Sequence, residues 1–582
     1  MNGYKKNYHL EKKFHEFENL RKLLEHSAKK YGDKTAFVTK IKDRKNKSVS
    51  YIDTTYRQLY KDMVGLGNSL LDLGLADEKI ALIGENSYRW CQCYFTVASG
   101  VGVIVPLDKM LQKEELASCL VRSGATTVFC DKKHCDIVES IRNEGLAEIK
   151  QIIGLDFTSA DGLNIVELSE NITDQMLDDG CKYLSREIDG NAMSFLLFTS
   201  GTTEQSKAVM LSHKNLMSCN YGMNLEEVFF EDDVNMMILP LHHCYGMSGL
   251  LTFLSQGLKN VFCDGLKYIQ ANMKEYQVTV IMSVPLLLEN MYKKIQKAIA
   301  KDKLEKKIAT AMKIADAGDK IGINLRKKLF APINDQFGGK LRFIINGAAA
   351  LDPKVSEGFN KLGILTVQGY GLTETSPTIA SETYRYLKPG SVGKVMPNVE
   401  AKLIDVNEEG IGQLVVKGDN VMLGYYDDPL NTAKVLKDGW FYTGDLAYMD
   451  QEGFLFITGR AKNVIVMKNG KNVYPEEIET IINELPYVDE SMVFATDRQT
   501  DLLICAKVVV NEAYMKEQGM SLDDMKSKLD EDMEQINNAL PQYKMVKKYF
   551  ASITPTIKTT TQKTKRKEEM KAIEEEMAQL GI

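Results

Sequence analysis

The sequence predicts an α/β fold in two parts. One is a large N-terminal domain of mixed βαβ subdomains with a smaller β-barrel-like part; the other is a small α+β C-terminal domain. Three observations predict this. From about residue 80 to 285, short β-rich runs alternate with longer amphipathic stretches, the pattern of βαβ units and parallel sheets. From Gly390 to Gly459 the text is β-rich and punctuated by glycine. After Arg460 it changes to a polar, lysine-rich loop and then to alternating strand and helix. At 582 residues the chain is too long for a single core. A boundary at Gly459–Lys462 divides it into domains 1–460 and 461–582, the second within the usual domain size.

The elements follow in order. Ile80–Ile83, Val101–Pro106, Thr126–Cys130, Ile152–Leu155 and Val278–Val284 are bounded apolar runs of strand length. Val97–Leu107 is apolar but far short of a membrane span, so it belongs in a core. Leu286–Phe330 reads as helical and lysine-rich, its charges a solvated face. Leu341–Ile345 reads as a buried strand ending at Asn346-Gly-Ala-Ala-Ala350, where small residues leave room for something flat. In the C-terminal part, Glu476–Leu485 and Met520–Leu540 read as helices, Ser491–Thr496 and Leu503–Val510 as strands. Lys567–Ile582 alternates charge and reads as a solvated helix. No internal repeat is apparent.

Composition excludes several classes. With 73 basic and 79 acidic residues the net charge is −6, which gives no reason to expect nucleic acid. The basic N-terminus lacks an apolar h-region, so no secretion signal is expected. Lys5, Lys6, Lys12 and Lys13 could meet anionic lipid in a peripheral contact, and equally read as a solvated face. Ten cysteines lack zinc-ligand spacing and read as buried, reduced thiols in a cytoplasmic protein. His242–His243 is the only histidine pair, and no local carboxylate cluster makes it a metal site.

Chemistry concentrates in four segments. In Phe198-Thr-Ser-Gly-Thr-Thr-Glu-Gln-Ser-Lys207 an apolar strand stops in small hydroxyl and glycine residues, and a lysine follows. Such a turn suits phosphates: glycine allows close approach, hydroxyls and N–H groups donate, and lysine balances charge. It is not a Walker A loop. Gln368-Gly-Tyr-Gly-Leu-Thr-Glu374 places an aromatic ring between two glycines, a stacking surface for a base, and ends in a hard oxygen donor of the kind that holds Mg²⁺. Gly439-Trp-Phe-Tyr-Thr-Gly-Asp445 sets a lone aspartate behind a glycine turn, an acceptor for ribose hydroxyls. Gly459-Arg-Ala-Lys-Asn-Val-Ile-Val-Met-Lys-Asn-Gly470 crosses the proposed boundary.

In this order, the four segments resemble the adenylate-forming superfamily of acyl-CoA synthetases, aryl-CoA ligases, nonribosomal adenylation domains and beetle luciferases. The likeness runs from about Ala28 to Arg566. Lys328-Leu-Phe-Ala and Phe337-Gly-Gly-Lys-Leu-Arg-Phe-Ile-Ile-Asn-Gly-Ala348 are most similar to the long-chain fatty-acyl-CoA synthetases. The resemblance implies the adenylate-forming fold with a mobile C-terminal domain. It also implies ATP-dependent conversion of a fatty or other carboxylic acid to acyl-AMP, with Mg²⁺, and transfer to CoA or to a carrier protein's phosphopantetheine.

It further implies roles. Thr199, Ser200, Gly201, Thr202, Thr203 and Lys207 would cradle the β- and γ-phosphates. Gly347, Ala348, Ala349, Gly369, Tyr370 and Gly371 would hold adenine, with Thr373 near the α-phosphate and Glu374 on Mg²⁺. Asp445 would bind ribose with Arg460 beside it, His243 would border the carboxylate and thiol route, and Lys462 would be the hinge. Gly470 would reach the thiol side. Lys563 would be the catalytic lysine, with Lys558 as the alternative. The chain departs from the family pattern at Glu204, Ser206 and Ala208, where glycine, proline and glycine are usual, and at Gln562. Two alternatives stay open: carrier-protein acylation, and nucleotide binding without turnover. The acyl tunnel is expected among Asn235–Leu254, Ser283–Tyr292 and Gly347–Leu351.

Overall fold

The computed structural model describes residues 14–43, 46, 48–170, 172–199, 206–301, 303–467, 471–498, 501–558 and 564–580. Among them no helix is long and apolar enough to cross a membrane. The basic residues Lys5 to Lys13, with Ser200, Gly201, Thr202, Thr203, Glu204, Gly470, Gln562 and Lys563, lie outside the described residues. Two compact units form. One takes the described residues of Met1–Thr199, Lys207–Glu400 and Val416–Phe441; the other takes Ser206 and those of Ala401–Val415 and Tyr442–Ile582.

In the first unit the predicted apolar runs become the centres of two sheets. A seven-stranded sheet has the order Gly424–Tyr425, Lys207–Ser212, Met193–Thr199, Val103–Pro106, Lys79–Ile83, Thr127–Cys130, Gln151–Gly154. Its last five strands are parallel, and the Met193–Thr199 and Lys207–Ser212 pair is an antiparallel hairpin. The second sheet has nine strands. Val234–Met237, Lys259–Phe262, Val280–Ser283, Phe343–Asn346 and Leu365–Gly371 run parallel at its centre. Antiparallel pairs finish both edges, among them the hairpin Thr35–Asp43 with Ser48–Thr55. The expectation of parallel sheets therefore holds for the centres and fails at the edges. An edge strand faces solvent and does not read as a buried run: six residues of Ser48–Thr55 are exposed.

One strand starts later than predicted. Val97–Val101 winds into a π-turn, and a Cβ on Gly102 would lie 2.1 Å from the carbonyl of Glu78. The chain therefore extends only from Val103. The lysine-rich stretch forms Pro285–Lys301, Glu305–Lys320 and Arg326–Leu329. The described cysteines are all free thiols; Cys181 and Cys263 are half-buried and the others buried.

In the second unit, Val488–Arg498, Asp501–Val510 and Lys548–Ser552 form a three-stranded sheet packed with the helices Pro475–Asn483 and Leu522–Ala539. The last helix, Arg566–Leu580, is not the solvated helix its alternating charge suggests. Ile573 is fully buried with Met492, Phe494 and Phe550. Glu569 and Glu576 each lie 2.9 Å from the buried ammonium of Lys507. Alternating charge on this helix includes the partners of a buried cation, which restore part of its lost hydration.

One buried acid ties stability to pH. Glu227 follows the helix His213–Glu226 and is wholly buried; its Oε1 accepts the Ser381 hydroxyl at 3.0 Å and its Oε2 has no partner. Burial pushes its pKa up to about 8, against the lowering effect of Ser381. The folded state thus holds a proton that the unfolded state releases near pH 4.5. The stabilisation is fully present below that value and is lost as pH rises through about 8. Glu227→Gln is expected to remove this loss, which is at most on the order of 5 kcal/mol. Melting temperatures at about pH 6 and pH 9 check it: the gap between the two should shrink in the variant.

Candidate active site

The expected phosphate loop springs from a hairpin. Thr199 and Lys207 are register partners, and the Thr199 hydroxyl donates to the Lys207 carbonyl at 3.3 Å. Both ends of the loop are therefore fixed in the seven-stranded sheet. The Lys207 ammonium stands 4.4 Å above the Tyr425 ring centre and 3.3 Å from its hydroxyl. That hydroxyl donates to Glu374 Oε1 at 3.0 Å. Lys207, Tyr425 and Glu374 thus form one chain of charge-assisted contacts, a cation and an anion held apart by a phenol.

Glu374 sits in the turn Thr373–Thr375, which packing fixes. Asn420, fully buried, donates its amide to the carbonyls of Thr375 (3.1 Å) and Thr378 (3.1 Å). A Cβ on Gly371 would fall 1.7 Å from the Pro377 carbonyl, so only glycine lets the chain close there. No donor among the described residues meets Glu374 Oε2.

The expected adenine cradle is built from two parallel neighbours, Phe343–Asn346 and Leu365–Gly371. A Cβ on Gly347 would meet the Tyr245 ring at 3.0 Å. Tyr245 in turn donates to the Ile345 carbonyl at 3.1 Å. Ala348 has φ +74°, a left-handed conformation costly for a residue with a Cβ and typical of ligand sites. A Cβ on Gly369 would meet nothing closer than 3.7 Å, so the protein's own packing does not demand glycine there. Asn346 is fully buried, gives its amide to Gln368 Oε1 at 2.8 Å and leaves Oδ1 without a partner. A buried acceptor of that kind is costly unless a ligand donor meets it.

His243 caps the helix Cys244–Ser255, its ring 4.2 Å from that of His242. His242 Nε2 lies 3.4 Å from the Asp108 carboxylate. Ligand atoms of Asp108, His242 and His243 fall within 4.8 Å of one another, so the histidine pair does have a carboxylate beside it. The sequence hides it because Asp108 arrives from the loop after the strand Val103–Pro106.

In the second unit, Asp445 and Arg460 are register partners on adjacent strands, and Arg460 Nε meets Asp445 Oδ1 at 2.8 Å. Asp445 is 4% exposed, so the guanidinium is what balances its charge. Lys462 lies exposed in the turn Ala461–Asn463. That turn is tied down at Asn463, whose amide donates to Glu476 Oε1 at 2.6 Å. Lys558 is paired with Glu490 and bridges to Thr564, on either side of residues 559–563.

Tyr425 and Asn420 were not singled out from sequence. Both sit in the glycine-punctuated β text, where a Gly-Tyr pair carries no signal of its own; only the pairing of Tyr425 with Val209 brings it under Lys207.

A model of the AMP-binding enzyme family matches residues 24–426, and one of the AMP-binding enzyme C-terminal domain matches 462–579. The chain is 27% identical over 545 residues to an Arabidopsis thaliana chloroplastic long-chain-fatty-acid–[acyl-carrier-protein] ligase, covering 81% of this chain and 74% of that protein. It is 26% identical over 469 residues to a Mycobacterium bovis long-chain-fatty-acid–CoA ligase, covering 76% and 75%. ATP-bound MatB from Rhodopseudomonas palustris superposes with a TM-score of 0.72 at 24% identity, over 95% of this chain and 99% of that one, a likeness of fold.

Proposed function

The chain belongs to the AMP-binding enzyme family, and from that premise we infer that it is an AMP-forming acid–thiol ligase acting on a fatty acid. One observation carries the reading. Lys207 and Glu374, to which the resemblance assigns the phosphates and Mg²⁺, are joined through Tyr425.

The chemistry follows from the acid. A carboxylate is a poor acyl donor, because its leaving group would be oxide. One carboxylate oxygen attacks the α-phosphorus of ATP, the bond to the β-phosphate oxygen breaks, and pyrophosphate leaves with the electron pair. Lys207 and the loop at 199–207 hold the β- and γ-phosphates, and Thr373 stands by the α-phosphate. Asn346 Oδ1 accepts from the exocyclic amine of adenine, which lies along Gly369–Gly371 and Gly347–Ala349. Asp445 accepts from ribose, with Arg460 holding the carboxylate in place. Glu374, with one oxygen bonded to Tyr425, fits a single carboxylate contact to Mg²⁺, which would neutralise charge on the phosphates.

In the second half a thiolate attacks the acyl-adenylate carbonyl, and AMP leaves as its phosphate takes the electron pair. His243 borders that route. The two halves need different groups at one centre. The domain that begins at residue 461 supplies them in turn by pivoting at Lys462, with Lys563 serving the first half and the Gly470 loop the second. CoA is the acceptor in this reading; a carrier-protein thiol and binding without turnover are the alternatives the test separates.

The test is mass-spectrometric product analysis with ATP, Mg²⁺ and fatty acids of graded length, with CoA, with a holo carrier protein, and with neither. Acyl-CoA is the expected product. Acyl-AMP that transfers only to the carrier protein makes that protein the acceptor. Nucleotide binding without pyrophosphate release would remove the enzymatic reading and point to Glu204, Ser206 and Ala208.

A further inference from the structure

Leu239 and Leu241, just before His243 in the chain, border a small apolar cavity of about 10 Å³. The cavity lies between the strands Val234–Met237 and Val280–Ser283 and the helix Cys244–Ser255. Its walls include Met237, Leu239, Leu241, Leu250, Phe253 and Met282. Among its described lining residues Asn235 has the one polar side chain, and its amide is turned to Asn260 Oδ1 at 3.0 Å. Such a wall recognises only a hydrocarbon.

The cavity is narrow, with room along it for about a single water, too little for a row of methylenes. A side chain must move to admit one. Gly249 shows which. It stands in the interior of the helix Cys244–Ser255, a position glycine weakens. A Cβ there would lie 1.8 Å from the Met282 sulfur. The missing side chain is therefore the seat of the Met282 thioether, which reaches over from the neighbouring strand. A thioether on an unbranched stem re-packs readily, and of the lining methionines Met236, Met237 and Met282 it is Met282 that fills the space over a glycine.

We propose that Met282, seated on Gly249, is the gate that sets how far an acyl tail enters this cavity. An unbranched aliphatic acid of medium length ends against Met282; a long one enters only when Met282 swings off its glycine. The proposal rests on the fatty-acid ligase reading above and adds the residue that fixes chain length.

The experiment measures kcat/KM for pyrophosphate release with hexanoate, decanoate and hexadecanoate in the parent protein, Met282→Ala and Met282→Phe. Alanine is expected to raise the hexadecanoate-to-hexanoate ratio by about tenfold or more, and phenylalanine to lower it by a similar factor. The KM for ATP should not move. Met282→Leu keeps the volume and removes the flexibility, so it should lower the same ratio even if the phenylalanine variant does not fold. Adenylates formed at unchanged ratios in folded variants overturn the gate and leave the ligase reading standing. No adenylate from any acid in the parent protein overturns that reading, and the gate with it.

Discussion

Glu374→Gln is expected to slow adenylate formation by about 10²–10³ while the protein stays folded. The geometry makes this a clean removal of charge. Glu374 Oε1 accepts the Tyr425 hydroxyl at 3.0 Å, and a glutamine carbonyl accepts the same bond. The turn is held independently, by Asn420 on the carbonyls of Thr375 and Thr378 and by the close pass of Gly371 over Pro377. What disappears is the negative charge that the proposed reaction needs beside the phosphates. Pyrophosphate release titrated with MgCl₂ reads it: the variant should need more magnesium for half-maximal rate and still reach a lower plateau. Tyr425→Phe is the control. It removes the hydroxyl's two hydrogen bonds, from Lys207 and to Glu374, and leaves the carboxylate charged, so its loss should be nearer tenfold. A glutamine variant as fast as the parent at equal magnesium would take Glu374 out of the metal's shell.

The same region shows what a sequence can and cannot display. Gly371 and Glu374 were legible because a tight turn needs particular residues at adjacent positions, and the string records adjacency. For Asp445 and Arg460 no local pattern shows a pairing; the family resemblance set Arg460 beside Asp445, and strand register is what brings the two together. Tyr425, Asn420 and Asp108 were not legible, because each reaches its partner through a sheet or a loop from a distant segment. The parallel sheet centres announced themselves as apolar runs. The antiparallel edges did not, since a half-solvated hairpin such as 35–55 is mostly polar text. The last helix misled for a related reason. Glutamates facing water and glutamates facing a buried lysine are spelled alike, and only packing separates Glu569 from its exposed neighbours.

Lys563→Ala is expected to abolish adenylation, by about 10²–10³ or more, and to spare thioester formation from supplied acyl-AMP. Charge builds on the α-phosphorus only in the first half-reaction, so a mobile ammonium is needed there and not in the second. Lys558, the competing candidate, is already committed. It pairs with Glu490, which also accepts the Thr556 N–H at 2.7 Å and hydroxyl at 3.0 Å. Its backbone bridges to Thr564, and one step outward the Lys565 N–H donates to the Ile557 carbonyl at 2.8 Å. Ile557 is pinned in turn, its N–H donating at 2.7 Å to Glu569, the carboxylate on buried Lys507. Lys558 is thus held where the chain enters residues 559–563, and drawing it to a phosphate would cost the Glu490 pair. Lys558→Ala should therefore weaken both half-reactions modestly and lower the melting temperature, whereas Lys563→Ala should split the half-reactions and leave melting unchanged. Measuring adenylation and thioester formation separately in the two variants decides it. A Lys558 variant that alone loses adenylation would exchange the roles, and equal loss of both halves in the Lys563 variant would end the division of labour between the two steps.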